Sequence, residues 1–385
     1  MKTDWRPTRL GDVLQLIRRS ETVQPATTYD LIGVRLDGAG PFLRETKTGD
    51  QISAKQLFRV ACGDFIYSRL FAWRGAFGTI GQGLEGRYVS GEFPTFVTNA
   101  DRLDAEFLRL WFRLPSTLRT VESLCSGSTP LTRNRFKEQF FLDLEIPLPP
   151  LAEQQRIVTR IDALAARIEE VRSLHSAVME DLKQMLLGVY EELTNEALPM
   201  SMAQVAPIVR RPVEVEPDVE YSELGIRSFG NGTFHKPSQT GLQLGSKRVF
   251  QIEPGDLLFS NVFAWEGAIA VVKHEDAGRI GSHRFISCVP KPDLATAEFL
   301  RFHFLAPAGL MQIGEASPGG AGRNRTLGLG KLESLGVPVP PLEKQRWFDD
   351  LQAKVDAVKH LQAETQAELD ALLPAVLDRA FRGEL

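Results

Sequence analysis

The stretch Gly63-Asp-Phe-Ile-Tyr-Ser-Arg-Leu-Phe-Ala-Trp-Arg-Gly-Ala76 returns 192 positions later as Gly255-Asp-Leu-Leu-Phe-Ser-Asn-Val-Phe-Ala-Trp-Glu-Gly-Ala268, with eight of fourteen positions identical. The same shift carries Tyr29, Gly33 and Arg35 onto Tyr221, Gly225 and Arg227, and Ala105-Glu-Phe-Leu-Arg109 onto Ala297-Glu-Phe-Leu-Arg301. It slips by a single residue at Pro149-Pro-Leu151, which returns as Pro340-Pro-Leu342. A chain of 385 residues is therefore one module of about 190 residues written twice. Solenoids stack many short units, whereas two long ones make a pseudo-dimer within one chain.

Each copy has the same internal order. Residues 1–150 and 197–341 are mixed segments, with short alternating runs such as Asp64-Phe-Ile-Tyr-Ser68 and His283-Arg-Phe-Ile-Ser-Cys-Val289 cut by Gly and Pro, and one helix near 105–112. Ile146-Pro-Leu-Pro-Pro150 and Val337-Pro-Val-Pro-Pro341 then force an extended approach to a helix start. Beyond each proline pair, over 151–196 and 342–385, apolar residues recur by threes and fours. Ile157, Ile161, Leu164, Ile168, Val171, Leu174 and Val178 form one seam; Phe348, Leu351, Val355, Val358 and Leu361 form the other. A lone seam would be exposed, so each helix is expected to cover the other. Because the second domain connects the end of one helix to the start of the next, the pair should run antiparallel. A central helix from 150 to about 187 would be roughly 55 Å long. The expected fold class is α+β: two tandem mixed domains separated by two long antiparallel coiled-coil helices, with internal pseudo-two-fold symmetry.

Composition is that of a globular protein, 43% hydrophobic and 24% charged, with a formal net charge of −4. The distribution of that charge matters more than its sum. Segment by segment it is +3 over 1–150, −4 over 151–196, 0 over 197–341 and −3 over 342–385. The acidity belongs to the helices, as a solvated face or a face for protein partners, and a nucleic-acid role would rest on local charge in the domains. Cys62, Cys125 and Cys288 show no paired spacing and read as free buried thiols in a reducing compartment. No apolar run approaches a membrane span, and the first residues carry no apolar signal core, so the expected location is cytoplasmic.

Motifs for catalysis are missing. The G-x-G-x-x-G match at 81–86 lies between strand-like runs at 76–80 and 87–89 and reads as a hairpin turn, not a nucleotide loop. Lys331 lacks the flanking residues of a phosphate loop. There is no Asn-Pro-Pro-aromatic tetrad, no H-E-x-x-H and no G-x-S-x-G, and the six histidines form no metal-ligand pairs. Phe71-Ala-Trp73-x-Gly75 and Phe263-Ala-Trp265-x-Gly267 read as core. Within them Arg69 and Arg74 have become Asn261 and Glu266, so polar residues change while the apolar pattern is kept.

Both domains also place arginines in Gly/Ser/Pro-rich loops. Ser126-Gly-Ser-Thr-Pro130 leads to Arg133-Asn-Arg135, and Ser317-Pro-Gly-Gly-Ala-Gly322 to Arg323-Asn-Arg325. Arginine offers a bidentate fork to guanine or a charge to phosphate, and asparagine matches the adenine edge. A single loop of this kind reads as a solvated loop whose arginines cap neighbouring carbonyls; its recurrence at equivalent places in both copies leaves that reading and DNA contact equally open.

These features resemble the specificity subunits of type I restriction–modification systems. The resemblance rests on Pro147-Leu-Pro-Pro-Leu-Ala-Glu-Gln-Gln-Arg-Ile-Val158, its copy Pro338-Val-Pro-Pro-Leu-Glu-Lys-Gln-Arg346, and the ending Leu372-Leu-Pro-Ala-Val-Leu-Asp-Arg-Ala-Phe-Arg-Gly-Glu-Leu385. It departs at the second loop, which lacks the Thr of the first, and at Trp347. It implies two target-recognition domains that each read one half of a split double-stranded DNA sequence, with the helices as a ruler. It also implies two methyltransferase subunits as partners, and two restriction subunits where cleavage occurs. No cofactor is expected on this chain; S-adenosylmethionine, and ATP with Mg where a motor subunit is present, belong to the partners. Candidate DNA contacts are Arg69, Arg74, Ser126, Thr129, Arg133, Asn134 and Arg135 in the first domain. In the second they are Asn261, His283, Arg284, Arg323, Asn324 and Arg325. The alternative is a protein-interaction scaffold with duplicated domains that never touches DNA.

Overall fold

A computed structural model describes residues 5–125, 135–319 and 325–385. By compactness the chain divides into two units, Met1–Leu174 with Ala363–Leu385, and His175–Gln362. Each unit takes a portion of both long helices, Leu151–Thr194 and Leu342–Phe381. The central helix has 44 residues, seven beyond the expected end, or about 66 Å at 1.5 Å per residue.

In the first unit β1 (Arg6–Arg9) pairs antiparallel with β11 (Glu145–Leu148), the strand that leads into the central helix. A four-stranded sheet in the order β2 (Leu14–Ile17), β10 (Thr95–Thr98), β7 (Phe65–Tyr67), β8 (Phe77–Thr79) carries the main core. Helix Ala105–Trp111 packs on it, its start capped by the Asp104 carboxylate, which accepts from the Glu106 and Phe107 amides. A second, five-stranded sheet runs β3 (Ser20–Thr22), β6 (Gln56–Arg59), β9 (Tyr88–Val89), β4 (Thr28–Val34), β5 (Pro41–Thr48). The hairpin expected over 76–89 does not form, because β8 and β9 belong to different sheets. Val60 and its neighbours draw the second run away: the Val60 amide donates to Arg87 O and the Gly86 amide to Val60 O, both at 2.9 Å. The segment 81–86 therefore crosses between sheets, through a short 3-10 turn at Gln82–Leu84.

The second unit repeats this plan. β12 (Pro199–Ser201) pairs with β23 (Gly336–Pro338), and the four-stranded sheet runs β13 (Ile208–Val209), β22 (Phe285–Cys288), β19 (Leu257–Ser260), β20 (Ile269–Val271). Register is kept as well as order, since Leu257 opposes Val271 as Phe65 opposes Thr79. The outer sheet is broken into separate pairs: β14 (Glu220–Tyr221) with β17 (Gln239–Thr240), β15 (Leu224–Ile226) with β16 (Thr233–His235), and β18 (Val249–Gln251) with β21 (Ile280–Ser282).

A buried glutamine fastens each long helix to its domain. Gln154 Oε1 accepts from the Asp104 amide at 2.8 Å, while its Nε2 donates to Arg102 O and Pro149 O. Gln345 does the same with the Thr296 amide, Leu294 O and Pro340 O. Both side chains are fully buried, so every polar atom of the amide must be matched, and it is. This explains why the proline pair is followed four residues later by glutamine in both copies.

Within each unit the helices run antiparallel. In the first, Arg172 pairs with Asp370 at 2.5 Å and Arg156 reaches Leu385 O at 3.0 Å. In the second, Tyr190 meets Phe348 with ring centroids 6.1 Å apart. The seam is uneven along its length. Ile157, Ile161, Ile168, Phe348 and Val355 are buried, and Leu164, Val171 and Leu351 half-buried. The expected seam members Val358 and Leu361 are exposed, as are Leu174 and Val178. Two helices alone cover only a narrow strip; burial is complete where a domain adds a third layer, as Phe107 does beside Ile157 and Ile161 and Phe299 beside Phe348.

The thiols also differ from expectation. Cys288 is buried and its pKa pushed up to about 12 by that burial, but Cys125 is half-buried and Cys62 exposed; none is in a disulfide. Among the described residues no helix is long and apolar enough to cross a membrane.

Candidate nucleic-acid interface

The Gly-Asp pair that opens the repeated motif is a built anchor. Gly63 and Gly255 lie at φ of +84° and +92°, where a side chain would be strained, and the next carboxylate turns inward. Asp64 receives a two-pronged contact from Arg19, at 2.5 and 3.1 Å, and the Ala61 amide at 2.8 Å. Asp256 receives Arg211 at 2.6 and 3.2 Å and the Glu253 amide at 3.1 Å. Both carboxylates are 2% exposed. Each pair fixes the start of β7 or β19, and the strand carries its far end to the surface.

There the backbone gathers three segments in the same way twice. The Arg69 amide donates to Glu92 O at 3.0 Å and the Phe136 amide to Arg69 O at 3.0 Å. The Asn261 amide donates to Arg284 O at 2.8 Å and the Leu327 amide to Asn261 O at 2.7 Å. Positions 69 and 261, 92 and 284, and 136 and 327 are thus equivalent in space.

The side chains at these places differ. In the first domain Glu138 bonds the Arg69 guanidinium and reaches Arg18 at 3.4 Å, while Arg135 donates to Glu92 at 2.6 Å. Burial works to raise the Glu138 carboxyl, but the Arg69 hydrogen bond and the Arg69 and Arg18 charges leave it below its ordinary value. In the second domain Arg210 lies over the Phe250 ring at 4.8 Å and donates to Phe285 O at 3.0 Å. Arg248 stands opposite His283, whose amide donates to Arg248 O at 3.1 Å, and Arg284 follows directly. Arg248, His283 and Arg284 are exposed. Among the described residues, no carboxylate pairs with Arg210, Arg248 or Arg284.

The Phe-Ala-Trp-x-Gly stretches are turns that belong to the core only in part. Ala72 and Ala264 are core residues, Gly75 and Gly267 are buried and Trp265 packs against the core; Trp73 and Trp265 are half-buried, and Phe71 and Phe263 are 46% and 40% exposed. Each stretch forms a 3-10 turn closed by a left-handed glycine, Gly75 or Gly267, which a neighbouring hairpin tip grips by two backbone bonds. The Asp37 and Gly38 amides donate to Arg74 O and Gly75 O; the Phe229 and Gly230 amides donate to Glu266 O and Gly267 O. A turn that must accept those bonds faces the surface, which is why its aromatic residue cannot sink. Arg74 is exposed beside its own Trp73, and Glu266 accepts from the Ser228 hydroxyl at 3.1 Å.

Of the other candidates, Ser126, Thr129, Arg133, Asn134, Arg323 and Asn324 lie outside the described residues. Arg325 stacks over Trp265 at 5.3 Å. Arg135 and Arg325 are not equivalent: Arg135 directly precedes the anchoring amide of Phe136, whereas Arg325 stands two residues before that of Leu327. Sequence reasoning missed Arg18, Arg210 and Arg248, and the carboxylates Glu92 and Glu138. One signal was present, since Arg18-Arg19 returns as Arg210-Arg211 at the same 192-residue shift.

Residues 2–175 match the family described as type I restriction modification DNA specificity domain. That match covers the first copy of the repeat and the opening part of the central helix. Among curated proteins the chain is similar to the EcoKI specificity subunit of Escherichia coli (strain K12), 23% identical over 305 residues, which cover 69% of this chain and 62% of that protein. It is also similar to the EcoAI specificity subunit of Escherichia coli, 28% identical over 214 residues, 52% of this chain and 34% of that protein. Each match spans less than two thirds of the relative. Solved structures extend the likeness to the whole fold. One, from work on complex assembly and conformational transition of the type I R-M system, superposes at a TM-score of 0.73 with 22% identity over 100% of both chains. The HsdS subunit from Thermoanaerobacter tengcongensis gives 0.61 with 22% identity, over 100% of this chain and 98% of that one. The family match ends at residue 175, inside the central helix; the second copy is tied to the first by its 192-residue register, and the fold likeness extends over the whole chain.

Proposed function

We propose that this chain is the non-catalytic DNA-reading subunit of a type I restriction–modification complex, each domain reading one half of a bipartite double-stranded target. The observation that carries this is the equivalent gathering of segments at 69, 92 and 136 and at 261, 284 and 327. One backbone arrangement presents two different polar sets, as two readers of unlike half-sites require. Phosphate contacts would set register, and each good bidentate base contact would discriminate by about 1–3 kcal/mol.

Two methyltransferase subunits are the partners that fit this reading, joined by two restriction subunits where the system also cleaves. Methyl transfer from S-adenosylmethionine, and ATP-driven motion with Mg, would take place on those subunits. Two grooves at corresponding places support a pair of like partners. One, of about 420 Å³, sets Leu118, Ile168, Leu373 and Leu377 among charged residues that include Arg113, Glu169, Arg172 and Asp370; the other, of about 530 Å³, is mainly apolar, lined by Leu310, Leu186, Leu187 and Val355. The expected compartment is the cytoplasm.

The test is a map of methylated bases in cells that carry this chain with its methyltransferase. One motif of two short blocks separated by a fixed gap is expected. A continuous motif, or none, would overturn the reading.

A further inference from the structure

We infer that the two domains share the work on DNA unequally: the second holds the backbone phosphates through Arg210, Arg248 and Arg284, which no carboxylate among the described residues pairs, while the first keeps Arg18, Arg69 and Arg135 paired with its own Glu92 and Glu138. This rests on the DNA-reading function proposed above. Structural equivalence fixes which positions to compare. Arg18, Gln56, Arg69, Glu92 and Glu138 in the first domain correspond to Arg210, Arg248, Asn261, Arg284 and Leu329 in the second. With Arg135 and its counterpart Thr326 included, the first set carries one positive charge and the second three.

The pairing matches the count. Arg18 and Arg69 converge on Glu138, and Arg135 on Glu92, so a phosphate arriving there must displace a carboxylate from each contact. In the second domain Arg284 stands where Glu92 stood and Leu329 where Glu138 stood. Arg248 is close enough that its charge, after burial, holds the Arg210 guanidinium below its ordinary value. Like charges kept together without a counterion repel one another, and an anion relieves that cost. A string of phosphates along a duplex supplies several such anions at once, which a single small anion cannot.

Salt dependence of duplex binding by the full chain measures this, using a double-stranded DNA of arbitrary sequence between 50 and 200 mM salt. Replacing Arg210, Arg248 and Arg284 with glutamine should flatten the log–log slope by about 2–3, equivalent to losing roughly forty-fold of the salt sensitivity over that range. The matching triple of Arg18, Arg69 and Arg135 should flatten it by less than about 1, while Glu92→Gln with Glu138→Gln should steepen it by about 1–2 as arginines are released. Because Arg210 also packs on Phe250, the pair Arg248→Gln and Arg284→Gln, both on exposed side chains, repeats the test with an expected loss of about 2. Equal flattening from the two triples, or an unchanged slope in the second-domain variants, overturns the inference and leaves the DNA reading intact. A wild-type chain that binds no duplex at low salt, alone or with its methyltransferase, overturns the DNA reading itself.

Discussion

The two domains agree in backbone and disagree in charge. Strand order and register of the four-stranded sheet, the Gly-Asp anchor and the glutamine fastener recur at matching positions. Yet one candidate face is closed on itself by ion pairs, and in the other Arg210, Arg248 and Arg284 have no carboxylate partner among the described residues. By whole-segment charge the first domain is the more basic, at +3 against 0, and the local faces reverse that order. Net charge therefore identifies solubility and long-range attraction, not the binding face. What matters is whether a neighbouring carboxylate has already taken the arginine.

The shared anchor offers the largest effect by which to break the comparison. Asp64→Ala and Asp256→Ala each remove one partner of a buried pair and strand a backbone amide, so each should cost about 2–3 kcal/mol of stability. Arg211 is less exposed than Arg19, 22% against 37%, so the second-domain variant should lose slightly more. Urea unfolding with hydrogen exchange resolved by unit would show it. A loss in one copy and none in the other would mean that the repeated Gly-Asp is not a repeated support.

That anchor also marks how far the sequence could be read. The 192-residue shift made the duplication, the mixed domains and both long helices legible, because periodicity and proline placement act locally. The fastening by Gln154 and Gln345 stood in the quoted motif, but only the fold brings the amides of Asp104 and Thr296 to them. Phe71 and Phe263 misled because an aromatic residue beside glycine suits a core, while the turn they occupy must face a hairpin tip. Glu92 and Glu138 were invisible as site residues, since their role depends on which arginine the topology places against them. Arg135 and Arg325 match in the repeated loop sequence, yet stand one and two residues before the anchoring amides of Phe136 and Leu327.

A smaller asymmetry lies where the helices dock. In the second unit Tyr190 bonds the His303 ring nitrogen at 2.6 Å in a buried contact, and burial pushes the His303 pKa down to about 4. The first unit has Trp111 at the equivalent position, which does not titrate. An unfolded histidine takes up a proton near pH 6.5 and the folded one resists it until about pH 4, so stability falls as pH drops through that window. By pH 4.5 the second unit should have lost on the order of 2 kcal/mol from this group. A chain carrying Tyr190→Phe and His303→Phe should lose less between pH 7 and pH 4.5 than wild type, measured by thermal unfolding. An equal loss would show that His303 is not the group that sets this unit's acid sensitivity.

The smallest effect has the opposite sign and sits on the C-terminal helix. Asp349 occupies the place that Val158 fills in the first copy, against the apolar core. Burial raises its carboxyl to about 6, opposed by the Thr296 hydroxyl and assisted by the Glu298 charge. A folded pKa above the unfolded value means the protonated form suits the fold, so this group's contribution is fully present below pH 3.8 and lost as pH rises through about 6. The side chain is partly exposed, which screens the penalty to about 1 kcal/mol at pH 7. Asp349→Val, which installs the first copy's residue, should therefore raise unfolding stability at pH 7 by about that amount, with the gain shrinking as pH falls toward 4. A gain independent of pH would assign the effect to packing alone. Destabilisation would mean that Gln352, whose amide donates to Asp349 at 3.3 Å, depends on the carboxylate more than the core is harmed by it.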